Sequence, residues 1–312
     1  TFGGMLSVAI LDFVQMTVIM AGMLFIAMLV SPQAGGVGAV VAQAEAAGKL
    51  QLLPQGGYQV WIPFIGTLLT MMLGSIPQQD VFQRMTSAKD EKTAVRGSVT
   101  GGLMYFAFAF VPMFLAFSAT LIDPKVFGDL IEADSQMVLP ALVLQHTPLL
   151  AQVLFFGALL SAIMSTASAT LLAPSVMFTE NILKHFALKH MSDQQMLRTM
   201  RIIVLTFGCI VLWFALNSNA TIFKMVENAY KITLVAAFVP LAFGLYWKRA
   251  NNQGALLSIA LGLISWGLME FLQPDTYWPP QLAGLLMSVA GMLAGSLLPN
   301  LMRSRHRHQS QI

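Results

Sequence analysis

The stretch AIMSTASATLLAPS, residues 162–175, places hydroxyl-bearing and small residues in the middle of a long hydrophobic segment. That segment covers residues 149–178 and is longer than the roughly 20 residues that an α-helix needs to cross a bilayer. Hydroxyl groups within lipid must find hydrogen-bond partners, and polar groups at that depth often mark an ion or solute path. The stretch therefore predicts a membrane-spanning helix that carries half of a cation site.

The composition of the whole chain also indicates a membrane protein. Of its 312 residues, 56% are hydrophobic and 10% are charged, whereas roughly 25% are charged in an ordinary soluble domain. Such long apolar runs require a bilayer, so the predicted fold class is an all-α integral membrane protein. Cys209 is the single cysteine, which excludes an intrachain disulfide.

Apolar runs and their breaks predict about eight membrane-spanning helices. The predicted spans are residues 6–30, 60–75 with a continuation past Pro77, 99–121, 149–178, 202–216, 221–247, 255–271 and 281–301. Residues 31–58 are rich in Gly, Ala and Gln, and we predict an excursion outside the membrane without a periodic apolar face. Residues 135–146 are apolar but too few to span, so we predict a re-entrant or interfacial helix there.

Basic residues predict the orientation of these helices. Loops at one end of the spans hold thirteen of the seventeen Lys and Arg residues: Arg84, Lys89, Lys92, Arg96, Lys184, Lys189, Arg198, Arg201, Lys248, Arg249, Arg303, Arg305 and Arg307. The opposite loops hold only Lys49 and Lys125. By the positive-inside rule, both ends of the chain are cytoplasmic. Because the basic residues are spread over four short loops, the sequence predicts no nucleic-acid partner.

Within the opening stretch, three residues form a candidate sodium site. Ala162, Ser165 and Thr166 are spaced i, i+3 and i+4, so they share one face of the helix. Two hydroxyls and the Ala162 carbonyl are neutral oxygen ligands, which suit a hard cation that must be released again. Alternatively, Ser161, Ser165 and Ser168 only let helices pack closely, with hydroxyls bonded to carbonyls of their own helix.

The second predicted span contains helix-breaking residues. Gly74 and Pro77 interrupt its apolar run, so we predict a break at residues 74–78. Freed backbone groups are tolerated at membrane depth where they meet a ligand or a water-filled cavity. The candidate substrate contacts here are Gly74, Ser75, Gln78 and Gln79. Alternatively, Pro77 marks the cytoplasmic end of the helix, and Asp80 pairs with Arg84 at i+4.

Two predicted spans carry charged residues. Asp12 lies early in the first span, where a lone carboxylate must face water or pair with a cation because its burial is costly. Lys224, Glu227 and Lys231 are spaced i, i+3 and i+7, and they form one stripe on the span 221–247. We predict that Glu227 and Lys231 line a substrate cavity; the alternative is that they only neutralise each other.

Four segments, in order along the chain, resemble the sodium:solute symporter family. They are GGMLS at residues 3–7, GSIPQQDVFQRMTSAKDEKTA at 74–94, AIMSTASATLLAPSVMFTENI at 162–182 and GLYWKRANNQGALLSIALGLI at 244–264. The second is most similar to the version found in choline-transporter-like members.

The resemblance implies sodium-coupled secondary active symport of a small organic solute by alternating access, with Na+ as the coupling ion and no organic cofactor. It places sodium on Ala162, Ser165 and Thr166, and a sodium exit route at Asp12 and Ser168. Glu227 falls where the sugar-carrying members have a substrate-contacting Gln. The implied fold is a LeuT-like core of two inverted five-helix repeats.

Family members have about thirteen spans, so the resemblance implies that the first four core helices lie outside this sequence. Residues 1–247 then hold the last helix of the first repeat, which is otherwise absent, and the complete second repeat. Residues 248–301 form two peripheral helices, and 302–312 form a cytoplasmic basic tail. The expected partners are the solute, the missing N-terminal helices and the lipid bilayer. The expected location is the plasma membrane, here a bacterial inner membrane.

Two other classes of function are alternatives to transport. A symporter-like sensor module of a signalling protein needs a catalytic domain, and the short tail HRHQSQI leaves no room for one in this sequence. A membrane-embedded enzyme needs a metal-spaced His/Asp/Glu cluster, a Gly-rich phosphate loop or a Ser-His-Asp set, none of which the sequence contains. The sequence therefore predicts a transporter and not an enzyme.

Overall fold

The computed structural model describes residues 4–183, 192–218, 220–272 and 277–298. Their α-helices are α1 Gly4–Val30, α2 Val37–Ala46, α3 Tyr58–Leu73, α4 Gln79–Thr86, α5 Glu91–Phe108, α6 Phe110–Ile122, α7 Pro124–Asp134, α8 Val138–His146, α9 Leu149–Met177, α10 Asp193–Leu216, α11 Ile222–Thr233, α12 Val239–Tyr246, α13 Asn252–Leu272 and α14 Pro280–Leu297. A 3-10 turn, Ser135–Met137, precedes α8. The π-helical segment Phe178–Leu183 follows α9, and Leu234–Phe238 joins α11 to α12.

Seven helical segments of the described residues are long and apolar enough to cross a membrane. They are Ala9–Val30, Glu91–Ile122, Leu149–Leu183, Gln194–Leu216, Ile222–Tyr246, Asn252–Leu272 and Pro280–Leu297, and each overlaps a predicted span. The remaining predicted span, residues 60–75, is α3, which has 16 residues and ends just before the predicted break. The prediction of an all-helical membrane fold is confirmed.

Polar caps start two helices well before their apolar runs. The Asp90 carboxylate accepts a hydrogen bond from the Thr93 backbone N–H at 2.7 Å, so α5 begins at Glu91. Ser192 and Gln195 form a reciprocal capping box that starts α10. Such side chains satisfy backbone donors that the first helical turn leaves unpaired, which explains why hydropathy alone placed both starts too late.

The segment 31–58 contains a helix that the sequence analysis missed. In α2, Val37, Val40, Val41 and Ala44 are spaced i, i+3, i+4 and i+7, and Val40 and Ala44 are buried. Val37 and Val41 are exposed, so only one pair of apolar residues, a turn apart, is buried; the helix itself is what the sequence analysis did not predict. The surrounding Gly, Ala and Gln residues obscured it.

The chain divides into two compact units, and the first comprises Thr1–Gln51 and Arg84–Ser218. Its core joins the C-terminal half of α1 to α6, α7, α8 and the first turn of α9. The buried members are Met23, Ile26, Val30, Leu115, Ala119, Phe127, Val138, Leu142, Val143 and Ala151. Phe127 anchors α7, and side chains of Gln33 and Gln152 donate to carbonyls at the C-terminal end of α8. The short apolar segment 135–146 is thus helical and held by polar caps.

The second unit comprises Leu52–Gln83 and Asn219–Ile312. Its centre is a hairpin of α13 and α14, whose buried residues are mostly small and polar: Gln253, Gly254, Ser258, Gly262, Gln281, Gly284, Ser288, Gly291 and Gly295, with Leu282 and Met292. Leu234, Val235 and Val239 are buried at the junction of α11 and α12.

Candidate functional site

The candidate sodium helix α9 meets α1 through a hydroxyl and a carboxylate. Ser165 Oγ donates to Asp12 Oδ1 at 2.8 Å, and both side chains are half-buried. A hydrogen bond to a charged group contributes about 1.5–3 kcal/mol, more than a neutral one. The structure therefore brings together a residue of the predicted sodium site and a residue of the predicted exit route.

A second polar contact lies one turn away on the same two helices. Gln15 Nε2 donates to Ser161 Oγ at 2.7 Å, and it lies 3.4 Å from the Ser161 carbonyl oxygen. Asp12 and Gln15 are spaced i, i+3 and Ser161 and Ser165 are spaced i, i+4, so the two antiparallel helices face each other with one polar stripe each.

The other hydroxyls of α9 do not contact α1 through any hydrogen bond of the described residues. Ser168 Oγ donates to the Met164 carbonyl of its own helix at 2.8 Å. Thr166 is exposed, and its carbonyl accepts from Thr170 Oγ1 at 2.8 Å. The predicted alternative of bonding within the helix thus describes Ser168, whereas Ser161 and Ser165 bond to another helix. Ala162 is half-buried beside them.

The predicted helix break is present in the second unit. Helix α3 ends at Leu73, Gly74 is its C-cap, and α4 begins at Gln79. Ser75 Oγ donates to the Met72 carbonyl at 3.1 Å, which satisfies one carbonyl of the last turn. The side chains of Gln79, Asp80 and Arg84 lie outside the described part of the structure, so neither the Gln79 contact nor the Asp80–Arg84 pair is tested.

Two residues of the break contact α11. Thr233 Oγ1 donates to the Gly74 carbonyl at 2.6 Å, and Gln78 Nε2 donates to Thr233 Oγ1 at 3.2 Å. Gly74 is buried, and a Cβ atom there would overlap the Tyr230 carbonyl oxygen. Only glycine lets α11 approach the broken helix this closely.

The charged stripe of α11 contains an ion pair. Lys231 Nζ lies 3.8 Å from Glu227 Oε1, and the two side chains are 15% and 17% exposed. The distance is near the limit of a salt bridge, and the residual exposure leaves both groups accessible. Mutual neutralisation is therefore realised in this structure, and a role in a substrate cavity stays a prediction.

Sequence reasoning missed Gln15 and Thr233, and it gave Ser161 a packing role only. Gln15 follows Asp12 at i+3 and Ser161 precedes Ser165 at i−4, so helical spacing alone could have indicated both. No comparable signal marks Thr233, because its partner Gly74 lies 159 residues earlier.

The described residues contain no group of three or more His, Cys, Asp or Glu side chains that could hold a metal ion. The oxygen atoms around Ser165 are of a different kind, since they combine hydroxyls with one carboxylate, and such donors suit a hard monovalent cation.

Long apolar helices, a helix broken between Leu73 and Gln79, and polar contacts between spans define a multi-pass membrane protein. The sequence model of the sodium:solute symporter family matches residues 1–262, which is most of the chain. The chain belongs to the sodium:solute symporter family, and the resemblance inferred from four segments is confirmed.

Named relatives carry different solutes. The sodium/proline symporter of Haemophilus influenzae is 26% identical over 315 residues, which cover 96% of this chain and 61% of the relative. The high affinity choline transporter 1 of Homo sapiens is 29% identical over 301 residues, which cover 89% of this chain and 49% of the relative. The chain thus spans about half to three fifths of these proteins. Both relatives are transporters, as the predicted class of function requires.

A solved structure shares the fold. A Na+-coupled sialic acid symporter in a substrate-bound outward-open state superposes with a TM-score of 0.73 at 18% identity. The match covers 95% of this chain and 63% of the other. This likeness confirms the predicted LeuT-like architecture.

Proposed function

We propose that this chain forms part of a sodium-coupled symporter that moves a small organic solute across the plasma membrane by alternating access. The observation that carries the proposal is the hydrogen bond of 2.8 Å between Ser165 on α9 and Asp12 on α1. It supplies a hydroxyl and a negative charge side by side within two apolar helices.

The sodium ion binds the face of α9 formed by Ala162, Ser165 and Thr166. Neutral oxygens hold Na+ weakly enough for release, and the remaining ligands come from helices outside this sequence. The Asp12 carboxylate attracts the ion as it leaves the hydroxyls, so Asp12 and Ser168 mark the exit route.

The solute binds near the helix break of the second unit. Gly74, Ser75, Gln78 and Gln79 supply backbone and side-chain polar groups where α3 ends. Glu227 and Lys231 supply charge on the neighbouring α11. Their side chains remain 17% and 15% exposed, so a charged solute can reach either group and replace its partner in the ion pair.

Residues 1–247 hold one helix of the first inverted repeat and the whole second repeat, residues 248–301 are peripheral, and residues 302–312 lie in the cytoplasm with both chain ends. The first core helices belong to the same protein outside this sequence, and the membrane is a bacterial inner membrane.

Uptake by the full-length protein tests this function. Radiolabelled proline, choline and sialic acid, the solutes carried by the relatives, are offered to proteoliposomes with an inward Na+ gradient, with K+ replacing Na+, or with the gradient collapsed by an ionophore. Symport requires accumulation of at least one small organic solute above equilibrium only with the Na+ gradient. Accumulation that is independent of Na+ would reject sodium coupling.

Point variants locate the ion. Ser165→Ala and Thr166→Ala should each raise the sodium concentration for half-maximal uptake by roughly five- to 150-fold, because loss of a polar ligand that bound sodium covers in the full-length protein costs about 1–3 kcal/mol. Ser98→Ala is the control, since that hydroxyl donates to the Ala94 carbonyl one turn earlier on α5. Unchanged sodium dependence in both α9 variants would favour the packing role for this face.

A further inference from the structure

The Thr233 hydroxyl connects α11 to the broken helix. It has one hydrogen to donate, and its shortest contact is the Gly74 carbonyl at 2.6 Å. It also accepts the Gln78 amide hydrogen at 3.2 Å. One hydroxyl therefore occupies both the carbonyl that the break exposes and an amide that could otherwise contact a solute.

The same hydroxyl has a second set of acceptors. The carbonyl oxygens of Tyr230 and Ala229, on its own helix, lie 3.1 and 3.3 Å from Thr233 Oγ1. A rotation of the hydroxyl hydrogen can exchange Gly74 for these carbonyls without leaving the hydroxyl unsatisfied. When α11 separates from the break, the Thr233 hydroxyl therefore loses little hydrogen-bonding free energy.

The backbone changes its geometry directly after Thr233. The π-helical segment Leu234–Phe238 follows, and Pro240, which lacks a backbone N–H, lies two residues beyond it. Such π-helical segments interrupt the regular hydrogen bonding of a helix and are common at functional sites. A bend between α11 and α12 is therefore easiest here.

The far side of this segment is fixed by the hairpin. A Cβ atom at Gly262 would lie 2.5 Å from the Val235 carbonyl oxygen, and one at Gly284 would lie 2.7 Å from Val235 Cγ1. Because Val235 packs closely against the glycines of α13 and α14, a bend in this segment should displace α11 and leave α12 in place.

We propose that Thr233 is a positioning residue that latches α11 to the helix break through Gly74 and Gln78, and that the latch opens by a bend at Leu234–Phe238. The proposal rests on the function proposed for the break, and it adds the residue that decides when Gly74 and Gln78 become available. Solute binding replaces Thr233 as their partner.

The labelling rate of a cysteine at the break reports how often the contact between α11 and the break opens, and it needs neither solute nor sodium. In the full-length protein with Cys209→Ala, Ser75→Cys is labelled by a membrane-impermeant maleimide applied in turn to each side of the membrane. Thr233→Val keeps the side-chain shape but removes the hydroxyl. Thr233→Ala also removes the hydroxyl, and alanine has a higher helix propensity than threonine. Both should raise the labelling rate about two- to twelvefold, as loss of one neutral hydrogen bond shifts an opening equilibrium.

Thr233→Ser retains the hydroxyl and should label like the parent protein. A second reporter, Gln51→Cys in an exposed loop, should label equally in all variants. Equal Ser75→Cys labelling in Thr233→Val, Thr233→Ala and the parent would overturn the latch. So would faster labelling in Thr233→Ser, or failure of both hydroxyl-free variants to accumulate in the membrane, since each indicates a packing role. Uptake is measured in the Cys209→Ala parent, which retains Ser75. Absence of sodium-dependent uptake there, with the expected labelling pattern in the reporter variants, would reject the proposed transport and leave the latch standing.

Discussion

The α13–α14 hairpin and the α1–α9 pair both place serines and small residues between apolar helices, but their serines have different partners. In the hairpin, the hydroxyls of Ser258 and Ser288 bond to each other at 2.8 Å, and both residues are fully buried. Between α1 and α9, Ser165 donates to a carboxylate and both groups are half-buried. A serine that bonds to a serine joins two helices through neutral groups, whereas a serine that bonds to a carboxylate joins them through an ionisable group.

Backbone separation explains the difference. A Cβ atom at Gly291 of the hairpin would lie 2.6 Å from the Leu257 carbonyl oxygen. At Gly22 of α1 and Gly157 of α9, nothing lies within 4 Å of that position. A cavity of about 90 Å³, lined in part by Gly22 and Ala158, lies between α1 and α9. Small residues therefore accompany tight packing in the hairpin and looser packing between α1 and α9.

The largest expected effect tests the packing role of the hairpin. Gly262→Leu would force a side chain against the Val235 carbonyl and Ser288, and overpacking of this kind costs about 3 kcal/mol. The Tm of the purified protein should fall by several degrees and its membrane abundance should drop. Gly267→Leu is the matched control, since α13 has open space there. Similar losses in both variants would show that leucine on this helix, and not the close approach, is harmful.

The second prediction changes one partner in each of the two serine contacts. Asp12→Asn keeps an oxygen acceptor for Ser165 but removes the charge, so half-maximal uptake should need roughly ten- to 150-fold more sodium, or about 1.5–3 kcal/mol, at normal abundance. Ser258→Ala leaves the buried Ser288 hydroxyl without its partner and should lower Tm while leaving the sodium dependence unchanged. The comparison fails if Ser258→Ala shifts the sodium dependence as strongly as Asp12→Asn does.

The charged pair of α11 offers a third case, in which partners lie on one helix. If Glu227 and Lys231 only pair, Glu227→Gln or Lys231→Met alone should destabilise the fold and so lower membrane abundance. The loss of stability should be about 1–2 kcal/mol because both groups are partly exposed. The double variant should restore the abundance. If they also contact solute, the double variant should be abundant but altered in substrate preference. Uptake of a panel of charged and neutral solutes at matched abundance decides between the two. Normal preference in the double variant would remove Glu227 and Lys231 from the substrate site.

The sequence predicted what depends on local composition. Apolar runs located the spans, and Gly74 with Pro77 located the break, because helix geometry and proline chemistry act within a few residues. Contacts across the chain escaped it: Gln15 and Ser161 are 146 residues apart, and Thr233 and Gly74 are 159 apart. The π-helical segment before Pro240 also escaped, because a proline in an apolar run predicts a kink without specifying its hydrogen bonding.

The smallest expected effect concerns the N-cap of α5, outside the membrane span. Hydrogen bonds from the Thr93 backbone N–H and side chain lower the pKa of the Asp90 carboxyl below its ordinary value of 3.8. Because the folded pKa is depressed, the stabilisation is fully present above about pH 3.8 and is lost as the pH falls through the lower folded value. Asp90→Asn keeps a neutral cap, so it should be slightly less stable than the parent near neutral pH, where the carboxylate also favours the helix N-terminus, and the difference should vanish in acid. Asp90→Ala loses the cap and should be less stable at every pH. Thermal unfolding in detergent from pH 3 to pH 7 measures both differences, and a gap between parent and Asp90→Asn that widens towards low pH would contradict the assigned direction of the pKa shift.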